Sequence, residues 1–398
     1  MALIKEFRPK KDYSNRKKKT EFEQRIKSHR RSRVMKVLFF SIICIVFISS
    51  IYYFAENLTY TYYTEISSYP RLSSSDSICV DYNGKILTYS KDGISCMDSK
   101  GDVIWNETYQ MQSPIVEVNK DSVAVGDYGG HIIYVLNEKG KVGEIDTNLP
   151  IRDFCISETG IVATVLQDQR ATKLNVYNTR KILVESEIYM NQNGYPVAVA
   201  LSDNGKVMEV SYLQVDSGTV KSSIAFYNFS EVGQNSVDRF ISGYDYDNIV
   251  IPYVGFFEDN GAFAVGNGRI SFYSGEDKPI SMAEKLLSEE IQGVYRGKNY
   301  VALVFVDTTG AALYRMDLYD KKGNIILSKT IDIEIHDILI QDKNFVVYND
   351  TECVMYHISG REKYRGTFGK SASLLMPFGK NNRFIMVTPV SVDIIELM

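Results

Sequence analysis

The chain has 398 residues and a formal charge of −4, and its 44% hydrophobic content is enough for a full-sized folded core. Its five cysteines form no C-x-x-C pair and its four histidines stand alone, which excludes a zinc-built or disulfide-stapled fold. Residues 1–36 carry fourteen Lys/Arg against four Asp/Glu, so residues 37–398 hold −14, an acidic balance that excludes nucleic acid as a partner of the larger part.

Residues 1–35 read as a basic cytoplasmic tail. Its clusters "NRKKK" and "HRRSR" suit retention on the inner side and attraction to anionic headgroups. The first twenty residues, with Pro9 and a charge run, read as unstructured, and residues 20–36 as a helix that continues onward. Residues 36–55 come next as a transmembrane helix. From Val37 to Ala55 nineteen residues pass without a charge. As a helix they span about 28 Å, close to the roughly 30 Å hydrocarbon core of a bilayer. No Lys or Arg occurs between Val37 and Pro70, and Tyr52, Tyr53 and Phe54 stand where an interfacial belt belongs. The expectation is a single-pass cell-membrane protein with the lipid bilayer as partner along 36–55 and the C-terminal part outside. A signal peptide fits less well, because the charged region is too long and no A-x-A-like site is found after it. A soluble core helix is the other alternative, but such helices are seldom apolar on every face.

Residues 56–70 read as a juxtamembrane segment and a candidate closing strand for the C-terminal domain. Residues 71–398 are built from repeats. "CMDSKGDVI" (96–104), "VLNEKGKVG" (135–143), "LYDKKGNII" (318–326) and "MYHISGREK" (355–363) share a strand end, a polar residue, a Gly and a return. In the turns, Asp98, Asn137 and Asp320 bond their own backbone, and Gly101, Gly140, Gly323 and Gly360 accept positive φ. Gly101 to Gly140 spans 39 residues and Gly323 to Gly360 spans 37. Upstream of the turns, period-2 strands are predicted at 94–98, 132–137, 173–178, 223–228, 270–274, 313–320, 353–358 and 392–397. Four short strands per roughly 40 residues point to an all-β fold, an extracytoplasmic β-propeller of eight four-stranded blades, with seven as the alternative. The last unit supplies three strands, so "NLTYTYYTEISSY" is expected to close the ring.

Three local expectations accompany this architecture. "SMAEKLLSEE" (281–290), with a Ser281/Glu284 capping box, reads as a helix inserted between blades. The stretches around 188–195 and 229–248 read as loops on a binding face, with Tyr128, Tyr195, Tyr244, Asp245, Tyr246 and Asp247 as candidate contact residues. Cys79 and Cys96 form a candidate bridge between neighbouring strands, with isolated thiols as the alternative.

At "CMDSKGDVIW" the chain resembles the repeat of PQQ-like, or quinoprotein-like, β-propellers, whose pattern approximates A-x-D-x-x-T-G-x-x-x-W. Asp98, Gly101 and Trp105 match it, with one residue fewer before the Gly. The copies at Asn137/Gly140 and Asp320/Gly323 lack the Trp. The whole chain also resembles a bacterial family of unknown function in which a basic tail and one membrane helix carry such a propeller. The resemblance implies fold and little chemistry. Quinoprotein dehydrogenases use a tryptophan-rich ring, often vicinal cysteines, and calcium ligands; this chain has one Trp and neither of the others.

No hydrolase elbow, phosphate-binding loop or metal-ligand spacing appears, so catalytic residues are unassigned and no cofactor or metal is expected. "GYDYDN" (243–248) lacks the spacing of a calcium loop and reads as a solvated turn. The leading expectation is a non-enzymatic scaffold that binds an envelope protein, a peptide or a glycan. The alternatives are a sensor reporting through the basic tail and a degenerate quinoprotein or other enzyme.

Overall fold

A computed structural model describes residues 13–71, 77–167, 172–179, 181–188, 194–258 and 261–398. It divides into a unit ending at Thr59 and a compact unit of Tyr60–Met398.

The first unit is one helix, Tyr13–Glu56. It begins earlier than expected: residues 13–20 are helical because, beyond Pro9, they hold Lys and Arg, good helix formers, and no breaker. Every side chain from Arg30 to Ile51 is exposed, Phe39 and Phe47 each at 65%. The run is long and apolar enough to cross a bilayer.

The second unit is an eight-bladed β-propeller, which settles eight blades over seven. Seven antiparallel four-stranded sheets run in chain order at 78–108, 114–146, 151–188, 195–247, 253–286, 291–331 and 337–367, numbered blades 1–7. Blade 8 joins three C-terminal strands at 374–397 to Tyr63–Pro70, the expected closing strand. That strand pairs Tyr63 with Leu397 and Pro70 with Ser391. Lys370 then clamps both partners, 2.8 Å from Glu65 and 2.9 Å from the fully buried Asp393. Closure leaves no blade with a missing edge.

All eight strands anticipated upstream of the turns are the third strands of their blades. Their period-2 pattern buries residues on both sheet faces, because each sheet packs on a neighbour to either side: Phe226 with Tyr273, rings 5.0 Å apart, joins blade 4 to blade 5. The turn glycines do two jobs. Each has positive φ, +81° at Gly101 and +99° at Gly140, and Asp98 and Asp320 accept the N–H two residues on. Each also docks on the outer strand of the preceding blade. A Cβ on Gly140 would lie 3.6 Å from Trp105, one on Gly360 2.8 Å from Leu327, and one on Gly323 2.9 Å from Ala283. Gly101 meets Pro70 of the closing strand in the same way. The sequence repeat is therefore an inter-blade contact as well as a turn.

Three expectations are corrected. Residues 281–290 form no helix: Ile280–Leu286 is the outer strand of blade 5. Pairing Ala283 with Phe272 completes that blade, and tertiary packing outweighs helix propensity. Glu284 binds Arg269 at 2.7 Å instead of capping a helix. Residues 229–248 are only half loop, two short 3-10 turns (Glu231–Asn235 and Val237–Arg239) before the outer strand of blade 4, Phe240–Asp247. Cys79 and Cys96 sit on the first and third strands of blade 1, separated by the second, so no bridge forms; all five cysteines are free. Of the other anticipated loop, residues 189–193 lie outside the described residues.

Candidate functional site

Antiparallel order puts the turns after the first and third strands of each blade on one face, here the upper, and the remaining connections on the lower. The first strands surround the central channel. Four of them carry a half-buried carboxyl: Asp81 in blade 1, Glu117 in blade 2, Asp153 in blade 3 and Asp337 in blade 7. Burial raises all four above the ordinary carboxylate range. Glu117 is pushed up to about 7 by burial and then by the nearby Asp153 charge, against the pull of Arg296 in blade 6. Asp153 is pushed up to about 6 by burial, with the Phe154 N–H opposing. Asp81 and Asp337 rise for the same reason, opposed by the Gly84 and Ile338 N–H groups. Desolvation disfavours a charge where no cation neutralises it at contact distance.

The upper mouth is divided. Lys120 in blade 2 reaches Glu158 in blade 3 at 2.8 Å, Asp203 in blade 4 at 3.0 Å and Glu258 in blade 5 at 3.6 Å. Beside this cluster only a small cavity of about 260 Å³ remains. Over blades 6, 7, 8 and 1 the mouth stays open as a cavity of about 740 Å³, with Asp81, Arg296, Asp337 and Asn344 on its wall. A third cavity, about 820 Å³, opens on the lower face between blades 5 and 6. Val294 lies on the walls of both larger cavities, and Tyr253 on the lower one.

The structure does not bring the anticipated contact residues together. Tyr128, in a turn of blade 2, and Tyr195, opening the first strand of blade 4, belong to the lower face; the Arg152 guanidinium stacks over Tyr128 at 5.3 Å and hydrogen-bonds its hydroxyl. Tyr244, Asp245, Tyr246 and Asp247 lie on the outer strand of blade 4, not in a loop. Tyr246 is 4% exposed and bonds Tyr273 at 2.7 Å, so as a contact residue it is corrected to core. Asp245 pairs with Lys221 at 2.7 Å. The channel carboxyls carry no local motif in the sequence, because each is a single acidic residue in a separate strand. Their signal is an Asp or Glu inside an otherwise apolar first strand, as in "ICVDY" and "PIVEVN".

A quinone cofactor does not fit these residues. Trp105, the single tryptophan, stands on the outer strand of blade 1, away from the axis, so the stacking tryptophan of quinoproteins has no counterpart on the wall of the upper cavity, whose ring is that of Tyr295. Among the described residues no three His, Cys, Asp or Glu side chains group to hold a metal ion.

Fold and site together define an eight-bladed β-propeller with an acidic channel and one open upper mouth. The model of the family of unknown function DUF5711 matches residues 56–397, and the chain belongs to that family. A search of curated proteins gave no match. Among solved structures, the chain is similar to the computationally designed Ika8 protein at 11% identity and TM-score 0.50, over 86% of this chain and 100% of that one. It is also similar to BamB from Moraxella catarrhalis at 12% identity and TM-score 0.47, over 84% and 100%. These likenesses concern the fold alone.

Proposed function

We propose that the protein is a membrane-anchored, extracytoplasmic binding scaffold whose upper channel mouth engages an envelope partner. The observation that carries the reading is the 740 Å³ cavity, within the usual range for ligand sites, held open by first strands of a closed ring. Rigid blades fix the wall groups without an ordering cost on binding. The exposed apolar helix and the basic residues before it support anchoring with the N-terminus inside. The test is crosslinking in intact cells, with residues 1–59 alone as control. A partner held by the full chain, and lost in a rim variant such as Asp342→Arg, is the expected result. Recovery of nothing beyond the control refutes the scaffold.

Glu117 and Asp153 favour a second reading, acid–base chemistry in the channel, because their raised values approach those of working general acids. Incubating the purified chain with ester and glycoside panels tests it; turnover abolished by Glu117→Gln supports catalysis, and absence of turnover removes it.

A further inference from the structure

We infer that the cavity between blades 5 and 6 on the lower face is a docking site for a basic peptide segment of a partner protein, which lies extended along residues 288–290 and seats one large apolar side chain inside. The inference goes beyond the scaffold reading, which concerns the opposite face. The floor of the cavity is the uncovered flank of a packed core. Tyr253, Ile291 and Val294 are half-buried on its wall and pack against one buried cluster, which includes Phe263, Val265 and Phe305. Tyr253 stacks on Phe263 with ring centroids 5.9 Å apart. Both lips are fixed. On the blade 5 side, Asn267 donates its N–H to Val250 O at 3.1 Å and accepts the Val250 N–H on its Oδ1 at 3.1 Å. On the blade 6 side, Arg315 lies over Phe305 at 4.8 Å and donates to both oxygens of Glu289 at 2.9 Å. A space held this way needs no ordering before a ligand enters. At about 820 Å³ it takes a side chain as large as phenylalanine.

The link between the two blades supplies an edge for the peptide backbone. Leu287 donates its N–H to Gly268 O and Ile291 pairs with Phe305, but among the described residues Ser288, Glu289 and Glu290 have no backbone partner. Their N–H and C=O groups are open to an extended chain, as at the edge of a sheet. Gln292 is the extra residue of a bulge between Ile291 and Gly293, exposed on the cavity wall. The rim decides the charge of the ligand. The lower connections at 248–252, 267–268, 287–290, 307–313 and 332–336 contain five carboxylates, Glu289, Glu290, Asp307, Asp332 and Glu334, and no Lys or Arg. Arg315 and Arg365, which reach this rim from neighbouring strands, are each bound by two carboxylates. Glu290, on the cavity wall, forms no ion pair among the described residues. Such a rim attracts Lys and Arg and repels an anionic ligand. Leu286, 78% exposed, and Val306 and Leu313, also exposed, add apolar surface on this face of blades 5 and 6.

The experiment is fluorescence anisotropy of the full chain in nonionic detergent, with empty micelles as the blank. The probes are labelled pentapeptides with blocked ends: Lys-Lys-Phe-Lys-Lys, Lys-Lys-Gly-Lys-Lys and Glu-Glu-Phe-Glu-Glu. The first is expected to bind, the second to bind at least about tenfold more weakly without the buried ring, and the third not to bind. Gln292→Trp, which fills the cavity from its wall, should bring the Phe peptide down to the level of the Gly peptide. Glu290→Lys should weaken both basic peptides by about three- to tenfold, most strongly at low salt. Circular dichroism confirms that both variants fold. Equal binding of the Phe and Gly peptides, parental affinity in both variants, or no binding up to ~1 mM overturns the inference. Loss of peptide binding in Asp342→Arg, on the upper rim, overturns it as well, because the peptide would then sit in the other mouth.

Discussion

Glu209 gives the sharpest prediction about stability. It lies on the second strand of blade 4, 0% exposed, and neither carboxylate oxygen has a hydrogen-bond partner. Its surroundings are the blade 4–blade 5 core, with Tyr273 and the Gly255 backbone nearest in electrostatic terms. Burial raises its pKa well above 4.5, with the Gly255 N–H opposing. The folded state therefore holds a proton that the unfolded chain releases above about pH 4.5. Stability is greatest below that value and falls by about 1.4 kcal/mol per pH unit until the folded carboxyl itself ionises. Glu117 and Asp153 act with the same sign, in windows ending near 7 and 6. Both are present in every variant, so a comparison of pH slopes isolates Glu209. Replacement by Leu keeps the volume roughly constant and removes the titration. Urea unfolding of the full chain in detergent at pH 5, 6 and 7 measures it. Glu209→Leu should gain on the parent as the pH rises from 5, by at most about 1.4 kcal/mol per pH unit. Parallel stability curves for the two proteins would refute the reasoning.

Other perturbations address closure, docking and the core. Deleting residues 60–70 removes the closing strand and exposes the blade 8 edge, so thermal unfolding should broaden or split and the chain should self-associate in light scattering. Gly140→Ala forces a side chain into φ +99° and should cost about 1–2 kcal/mol in a urea melt. The fully buried Phe226, against Tyr273, should cost about 3–5 kcal/mol as Phe226→Ala, read the same way. Lys120→Met should cost no more than ~1 kcal/mol, since the lysine is a third exposed, and should flatten the dependence of Tm on salt.

Much of the ring is legible in the amino-acid sequence. The Gly-centred turns and aromatic period-2 strands mark one strand per blade, because a hairpin writes its φ requirement and its alternation into adjacent residues. The short count in the last unit shows that a strand must come from elsewhere. The failures share a cause. "SMAEKLLSEE" has helical propensity and a capping pattern, yet blade 5 needs a fourth strand and takes this one. "GYDYDN" looks like a solvated turn, but pairing with blade 4 and packing on blade 5 turn Tyr246 into core. The channel carboxyls escape notice for the opposite reason: each is one acidic residue with no neighbour in sequence to mark it.

By itself the sequence determined the apolar span, the charge asymmetry around it, the blade repeat and the origin of the closing strand. All of these are carried by residues a few positions apart or by simple composition. The tertiary structure alone decided which residues share the channel. Asp81, Arg296, Asp337 and Asn344 come from three separate blades and line one cavity only because the ring closes. Burial, which raises the channel carboxyls and Glu209, is likewise a property of packed blades that no short stretch of sequence contains.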